Sequence, residues 1–174
     1  MSSAKNAKRP PLVHITSLGC AKNLVDTELV AGSLLVEGFG FCQEMKSADI
    51  EFINTCAFIQ SAREESARVI ADAAKWRSRK ASRRLVVGGC VVEWDKDGKF
   101  RSQFPEVDLW TRIDSVSQLG KILKGLAPAE LSPLSIEPRF LYNDKTPRLQ
   151  LTPPHFAYLK ISEGCDNRCS YCSI

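Results

Sequence analysis

The sequence predicts an α/β fold, an open, doubly wound parallel sheet. Two observations carry this. Short apolar runs recur along the front of the chain, separated by amphipathic stretches of helical length, the alternation expected of βαβ units. The run Asp49-Ile50-Glu51-Phe52-Ile53-Asn54-Thr55-Cys56 reads as a buried-type strand running into a cysteine, and Arg84 through Cys90 repeats the arrangement. Together they point to a sheet of the Rossmann or flavodoxin type.

The elements follow in order. Leu12–Ser17 reads as a first strand ending at Leu18-Gly19-Cys20. Leu24, Val25, Leu29, Val30, Leu34 and Leu35 recur at helical spacing, with Asn23 as a candidate cap and Gly38 as the stop. A short strand near Phe39–Cys42 is expected next, then a buried-type strand over Asp49–Cys56. Ser61–Arg79 is an amphipathic helix whose stripe is Ala62, Ser66, Val69, Ile70, Ala73 and Trp76. Arg84–Cys90 is a strand, Pro105–Trp110 another, and Ser115–Leu126 a further helix. From 127 to 154 the texture changes: six of the nine prolines fall there, as in a linker between domains. His155–Ser162 is then a fresh strand. The expected division is a leader over 1–11, a first domain over 12–126, a Pro-rich linker over 127–154, and the start of a second domain over 155–174.

No apolar run approaches the ~18 residues that would span a bilayer. The basic N-terminus runs into Pro10 and Pro11 with no apolar stretch behind it, so a disordered leader is expected rather than a secretory signal. A cytoplasmic location follows, with no membrane partner. The seven cysteines are too few for a disulfide-built scaffold and odd in number, so free thiols are expected.

Three of those thiols close the chain as Cys165-x3-Cys169-x2-Cys172. Three thiolates so close in sequence can hold three irons of a 4Fe–4S cluster and leave the fourth iron open to a ligand. Zinc is the weaker alternative, because a structural zinc takes four ligands, usually in C-x2-C pairs. Cys20, Cys56 and Cys90 form a second set. They lie far apart in sequence, yet each directly follows a predicted strand, and in a parallel sheet all carboxyl ends lie along one edge. Gly19 and Gly89, each preceding one of these cysteines, would let the backbone approach a bulky inorganic group. Three buried core thiols are the competing reading. Cys42 has no such position and reads as a core thiol.

With these residues in hand, the chain resembles the front of a radical S-adenosylmethionine (SAM) methylthiotransferase. The resemblance rests on Leu18-Gly19-Cys20-Ala21-Lys22-Asn23-Leu24-Val25-Asp26-Thr27-Glu28, Asn54-Thr55-Cys56, Gly89-Cys90, Pro105-Glu106-Val107-Asp108, and Thr152 through Cys165. The Ala-Lys-Asn-Leu-Val-Asp run is similar to the branch that modifies a ribosomal protein; the branch that modifies tRNA adenosine usually carries a Gln-Met-Asn type sequence there. Two stretches depart from the family pattern: Val91-Val92-Glu93-Trp94-Asp95-Lys96 after the third cysteine, and Thr111-Arg112 where a glycine is usual.

The resemblance implies two 4Fe–4S clusters, one on Cys20, Cys56 and Cys90 carrying the sulfur to be transferred, the other on Cys165, Cys169 and Cys172 binding SAM. It implies methylthiolation of an aspartate on the twelfth small-subunit ribosomal protein, with an electron donor such as flavodoxin or ferredoxin. It also implies that 155–174 is the first strand and cluster loop of a truncated radical-SAM barrel, and that this front part alone is inactive. Tyr171 is similar to the family residue that packs near the SAM adenine. Asn23, Asp26 and Asn54 lie near the first cysteine set and could tune it by hydrogen bonds, or Asn23 and Asp26 could simply serve the helix N-terminus. The tRNA-modifying relative and a non-catalytic metal-binding module are the alternatives. The cationic run Lys75–Arg84, six cations in ten residues, reads as a solvated helix end, with a ribosomal RNA contact as the alternative.

Overall fold

The computed structural model describes residues 9–112, 115, 118–125, 142–162 and 164–170. Five strands form one sheet, β1 (Leu12–Ser17), β2 (Gly40–Phe41), β3 (Ile50–Thr55), β4 (Arg84–Gly89) and β5 (Leu109–Thr111). Their order is β2-β1-β3-β4-β5 and every pairing is parallel. This is the flavodoxin-like order, whose direction of winding reverses between β1 and β3. Four helices cover it: α1 (Ala21–Val36), α2 (Gln60–Ser78), α3 (Cys90–Trp94) and α4 (Leu119–Gly125).

The side-chain alternation of the central strands builds a core on each face. Ile50 and Phe52 of β3 and Val86 of β4 pack with Val30 and Leu34 of α1 and Leu119 of α4. Ile53, Leu85 and Val87 point the other way, onto Ile70, Ala73 and Ala74 of α2 and Val91 of α3. Both faces are thus dry, which is why these strands read as continuous apolar runs. β2 meets only Leu12 and Val13 at the amino end of β1. The chain therefore needs only residues 42–49, with one turn of 3-10 helix at Met45–Ser47, to reach the start of β3. There the Asp49 amide donates to the Leu12 carbonyl at 2.8 Å and the Leu12 amide to the Asp49 carboxylate at 2.9 Å.

Several expectations shift. The strand expected over Pro105–Trp110 begins only at Leu109, because Pro105 and Glu106 form a turn. The last helix starts at Leu119, four residues late. Residues 155–162 form no strand: their apolar side chains have the right composition, but no neighbouring strand lies beside them, and a strand needs a ladder partner. Cys42 is half-exposed rather than buried in the core. Its thiol donates to the Glu44 carbonyl at 3.6 Å, and it lines a cleft of about 310 Å3 with Val13, His14 and Leu151. Residues 1–8 of the expected leader and 127–141 of the expected linker lie outside the described residues.

Candidate functional site

Cys20, Cys56 and Cys90 stand at the carboxyl ends of β1, β3 and β4, three adjacent strands of the sheet. Cys20 occupies the cap position of α1 and is exposed, Cys56 is buried just beyond β3, and Cys90 opens α3 half-buried. Chain distances of 36 and 34 residues are thereby closed at one edge. Gly19 has φ +91°, and a Cβ there would lie 2.6 Å from Cys56 Cβ and 2.9 Å from its Sγ. Gly89 has φ +94°, and a Cβ would lie 2.3 Å from Asn54 Oδ1 and 2.5 Å from the Thr55 carbonyl. What the two glycines admit is therefore the neighbouring strand end, which draws the three cysteine loops together.

Asn23 is the hub of the edge. It sits inside α1, buried, and does not cap the helix, contrary to one of the two roles expected for it. Its Nδ2 donates to the Leu18 carbonyl at 3.0 Å and to the Thr55 carbonyl at 2.7 Å, tying the loop before Cys20 to the residue before Cys56. Its Oδ1 faces the thiols of Cys20 at 4.0 Å and Cys90 at 3.6 Å. Those two sulfurs are thus no farther apart than the sum of the two legs. Asn54 Nδ2 in turn donates to the Asn23 carbonyl at 2.7 Å and to Thr27 Oγ1 at 3.0 Å. Asn54 Oδ1 is buried with no hydrogen-bond partner. Asn54 thus holds Asn23, which in turn faces the two sulfurs.

Two supporting residues give no signal in the sequence. Ser66 of α2 accepts the Cys56 amide at 3.3 Å and donates to the Cys56 carbonyl at 2.9 Å. Thr55 Oγ1 donates to the Gly88 carbonyl at 2.5 Å and accepts the Val91 amide at 3.4 Å. Ser66 falls on the predicted buried stripe of its helix, where a lone serine reads as a small spacer.

Asp26, the third polar neighbour, is buried. Its carboxylate accepts from Lys160 Nζ at 2.7 Å, an ion pair almost wholly out of water. The neighbouring acid Glu28 is held by Arg148 and by the Leu151 amide. These bonds seat residues 142–162 on α1. Cys165 and Cys169 follow that segment and are exposed; Cys172 and Tyr171 lie outside the described residues.

Burial pushes the Cys90 thiol up from its ordinary range, and the neighbouring Cys56 pushes it further; an amide of Ala57 pulls it down, while Cys20 and Asp26 again raise it. A thiol raised in this way is relieved by a cation placed beside it. Among the described residues no three His, Cys, Asp or Glu side chains are grouped so as to hold one metal ion. An iron–sulfur cluster makes a different demand, since each cysteine meets a separate iron at a corner of the cube and the sulfurs stand apart. The residues present fit that group: free thiols, graded in exposure, on an edge whose backbone is fixed.

The cationic run is mostly engaged in the fold. Arg77 grips Asp108 in a fork at 2.7 and 2.8 Å, and Arg83 lies over the Trp76 ring at 4.6 Å while donating to the Trp76 carbonyl at 2.8 Å. No helix of the described residues is long and apolar enough to cross a membrane.

A family model described as "Uncharacterized protein family UPF0004" matches residues 12–112, from the first residue of β1 to the residue after β5. The chain belongs to that family. Relatives of this UPF0004 chain include the ribosomal protein uS12 methylthiotransferase RimO of Heliobacterium modesticaldum, 40% identical over 168 residues, which cover 93% of this chain and 35% of the relative. The RimO of Solibacter usitatus is 41% identical over 162 residues, covering 93% and 34%, and that of Bdellovibrio bacteriovorus 38% over 173 residues, covering 99% and 37%. The chain spans about a third of the length of the curated relatives it matches.

Proposed function

We propose that this chain is the front of a radical-SAM methylthiotransferase that acts on an aspartate of the small-subunit ribosomal protein uS12. The observation that carries the reading is that Asn23 turns its Oδ1 to the thiols of Cys20 and Cys90 and holds with its Nδ2 the Thr55 carbonyl beside Cys56, on a chain that also carries the Cys165-x3-Cys169-x2-Cys172 loop. The resemblance to RimO proteins supports the substrate.

In this reading residues 12–126 form the sulfur-carrying domain, 127–154 connect it, and 155–174 begin the radical-SAM core. Cys20, Cys56 and Cys90 would hold one 4Fe–4S cluster, and Cys165, Cys169 and Cys172 the other, with Tyr171 as the candidate to meet the SAM adenine. When bound, the clusters and SAM supply the transferable sulfur, the methyl group and the one-electron cleavage that yields a 5′-deoxyadenosyl radical. A radical is required because the aspartate β-C–H is too weakly acidic for a side-chain base.

The chain's own residues bind and orient. The three thiols must lose their protons to ligate, and the burial that raises Cys90 is a cost that a bound iron would offset. Asn23 keeps two strand ends at fixed separation and turns its carbonyl oxygen toward two of the sulfurs, while Asn54 fixes Asn23. Exposed Leu159 and Ile161 offer a surface on which a barrel would pack. Free thiols suit a reducing, cytoplasmic setting, and a flavodoxin or ferredoxin would supply the electrons. Ribosomal RNA, if touched by the Lys75–Arg84 run, would meet the cations left on its outer side.

Anaerobic reconstitution with iron and sulfide tests the cofactors. The expected product holds about eight irons per chain, falling by half in a Cys20→Ala/Cys56→Ala/Cys90→Ala variant. A chain that takes up zinc alone, with no visible charge-transfer absorption, would overturn the reading. For the substrate, cells lacking the gene should lose methylthio-aspartate from uS12; loss of methylthio-adenosine from tRNA instead would reverse the assignment.

A further inference from the structure

We propose that Asp26 and Glu28 are positioning residues: two acids on one turn of α1 clamp residues 142–162 and so fix the second cysteine loop relative to the first cysteine set. The clamp deepens the functional reading above and rests on it for its purpose, but not for its geometry.

α1 begins at Cys20, and Asp26 lies six residues along it, about 9 Å up the axis at the helical rise. Asp26 Oδ1 accepts from Lys160 Nζ at 2.7 Å, with only 2% of the lysine side chain and 7% of the aspartate exposed. An ammonium so far from water requires a charged partner. Glu28, fully buried, is held at every acceptor: Arg148 Nε donates to Oε2 at 2.7 Å, the Leu151 amide to Oε1 at 2.8 Å, and the Leu149 amide to its backbone carbonyl at 3.0 Å. The bound segment is also tied to itself. Arg148 donates to the Tyr158 carbonyl at 2.8 Å, and the Tyr142 hydroxyl donates to the Lys160 carbonyl at 2.9 Å. A stretch without helix or strand thus has one fixed shape, and α1 supplies its foundation.

The consequence is a short leash. Lys160 stands five residues before Cys165, and five extended residues reach at most about 18 Å. Without the clamp the nearest helix end before the loop, among the described residues, is Gly125, forty residues back. Shortening a tether from forty to five residues raises the effective concentration of one end near the other roughly twentyfold, by the −3/2 power of length. Chemistry that needs both cysteine sets at one substrate atom requires that restriction, and the sequence alone separates the sets by seventy-five residues.

The test needs no metal. In a chain whose other five cysteines are serine, nitroxides on exposed Cys20 and Cys165 report their separation by pulsed electron-spin resonance. The expected result is one narrow distance distribution. It should broaden in Asp26→Asn with Glu28→Gln and narrow again in the charge-swapped pair Asp26→Lys with Lys160→Asp. Hydrogen exchange on the unlabelled chain is the second measurement. The Leu149 and Leu151 amides should exchange at least tenfold faster in the double variant, with those of Val86 and Val87 in β4 unchanged. A distribution already broad in the parent, or unaltered by the double substitution, overturns the clamp; so does unchanged exchange at Leu149 and Leu151. Failure to assemble iron–sulfur clusters would refute the functional reading and leave these outcomes as they stand.

Discussion

Gly89→Ala isolates what the cysteine-bearing edge demands of its backbone. Gly89 closes β4 at φ +94° and ψ −162°, a region that only glycine occupies readily, and an alanine held there stores about 1–3 kcal/mol. The new methyl would also lie 2.3 Å from Asn54 Oδ1, 2.5 Å from the Thr55 carbonyl and 2.7 Å from the Thr55 amide nitrogen. Thr55 belongs to β3 and cannot withdraw without breaking its register with β4, so overpacking adds about 1–3 kcal/mol. The sum, about 2–6 kcal/mol, is a large share of the 5–15 kcal/mol that holds a typical domain together. Urea unfolding followed by far-UV circular dichroism should move the midpoint down by about 1–3 M, for a slope of about 2 kcal/mol/M. Gly38→Ala is the control: its φ is +82° but a Cβ there meets nothing within 4 Å, so only the conformational cost applies. If Gly89→Ala unfolds within ~0.5 M of the parent, or no earlier than Gly38→Ala, the close approach of the strand ends is not what the structure describes.

Three further outcomes follow from the same contacts. Burial would raise the Asp49 carboxyl, but the Leu12 amide and the Arg9 guanidinium outweigh it and hold the group below its usual value. A depressed carboxylate stabilises above its unfolded pKa and loses that contribution as pH falls through the folded one; the gap in urea midpoint between the parent and Asp49→Asn should therefore be full at pH 6 and shrink below about pH 4. A gap that does not change with pH would contradict this. Arg77→Ala should cost about 2–4 kcal/mol, because it strands Asp108, which also accepts the Leu85 amide at 2.7 Å, and Arg77→Lys should recover only part, since an ammonium cannot reproduce the fork. A loss under ~0.5 kcal/mol would return the cationic run to the solvated face first expected of it. Cys42→Ser should leave iron uptake intact where Cys56→Ser lowers it; equal losses would mean that Cys42 belongs to a ligand set.

How much was legible depends on the range over which the physics acts. β3 and β4 were plain because both faces of each are buried, and their centres, Phe52-Ile53 and Leu85-Val86-Val87, are apolar on successive residues. The meeting of three cysteines was legible too, since parallel strands put all their carboxyl ends on one edge. Asn23 was not. A polar side chain in a first helical turn can serve its own helix or reach across to another strand, and only the position of the Leu18 and Thr55 carbonyls decides between them. α3 is too short to show a period. The expected strand at 155–162 failed for a related reason: pattern reports what a segment can do, and pairing depends on what lies next to it. Lys160 with Asp26 and Arg148 with Glu28 join residues 134 and 120 positions apart, and no local pattern carries such a pairing.

The contrast between backbone and sulfur separates a ligand set from a group of core thiols. A core cysteine is enclosed and inert, and nothing around it needs to be fixed on its account. Here the peptide groups flanking the cysteines are locked: Cys56 by Ser66 on both its amide and its carbonyl, Thr55 by Asn23, and Gly88 by Thr55. The sulfurs of Cys20 and Cys90 make long contacts to a single amide oxygen, and Cys20 is exposed. Rigid supports around under-committed donors are the arrangement that ligation requires, because the entropy of ordering the site is lost on folding rather than on binding. The same helix that begins at Cys20 then anchors, one to two turns later, the segment leading to the second cysteine loop. One element therefore governs both sets, and a disturbance of α1 between Asn23 and Glu28 should reach them together.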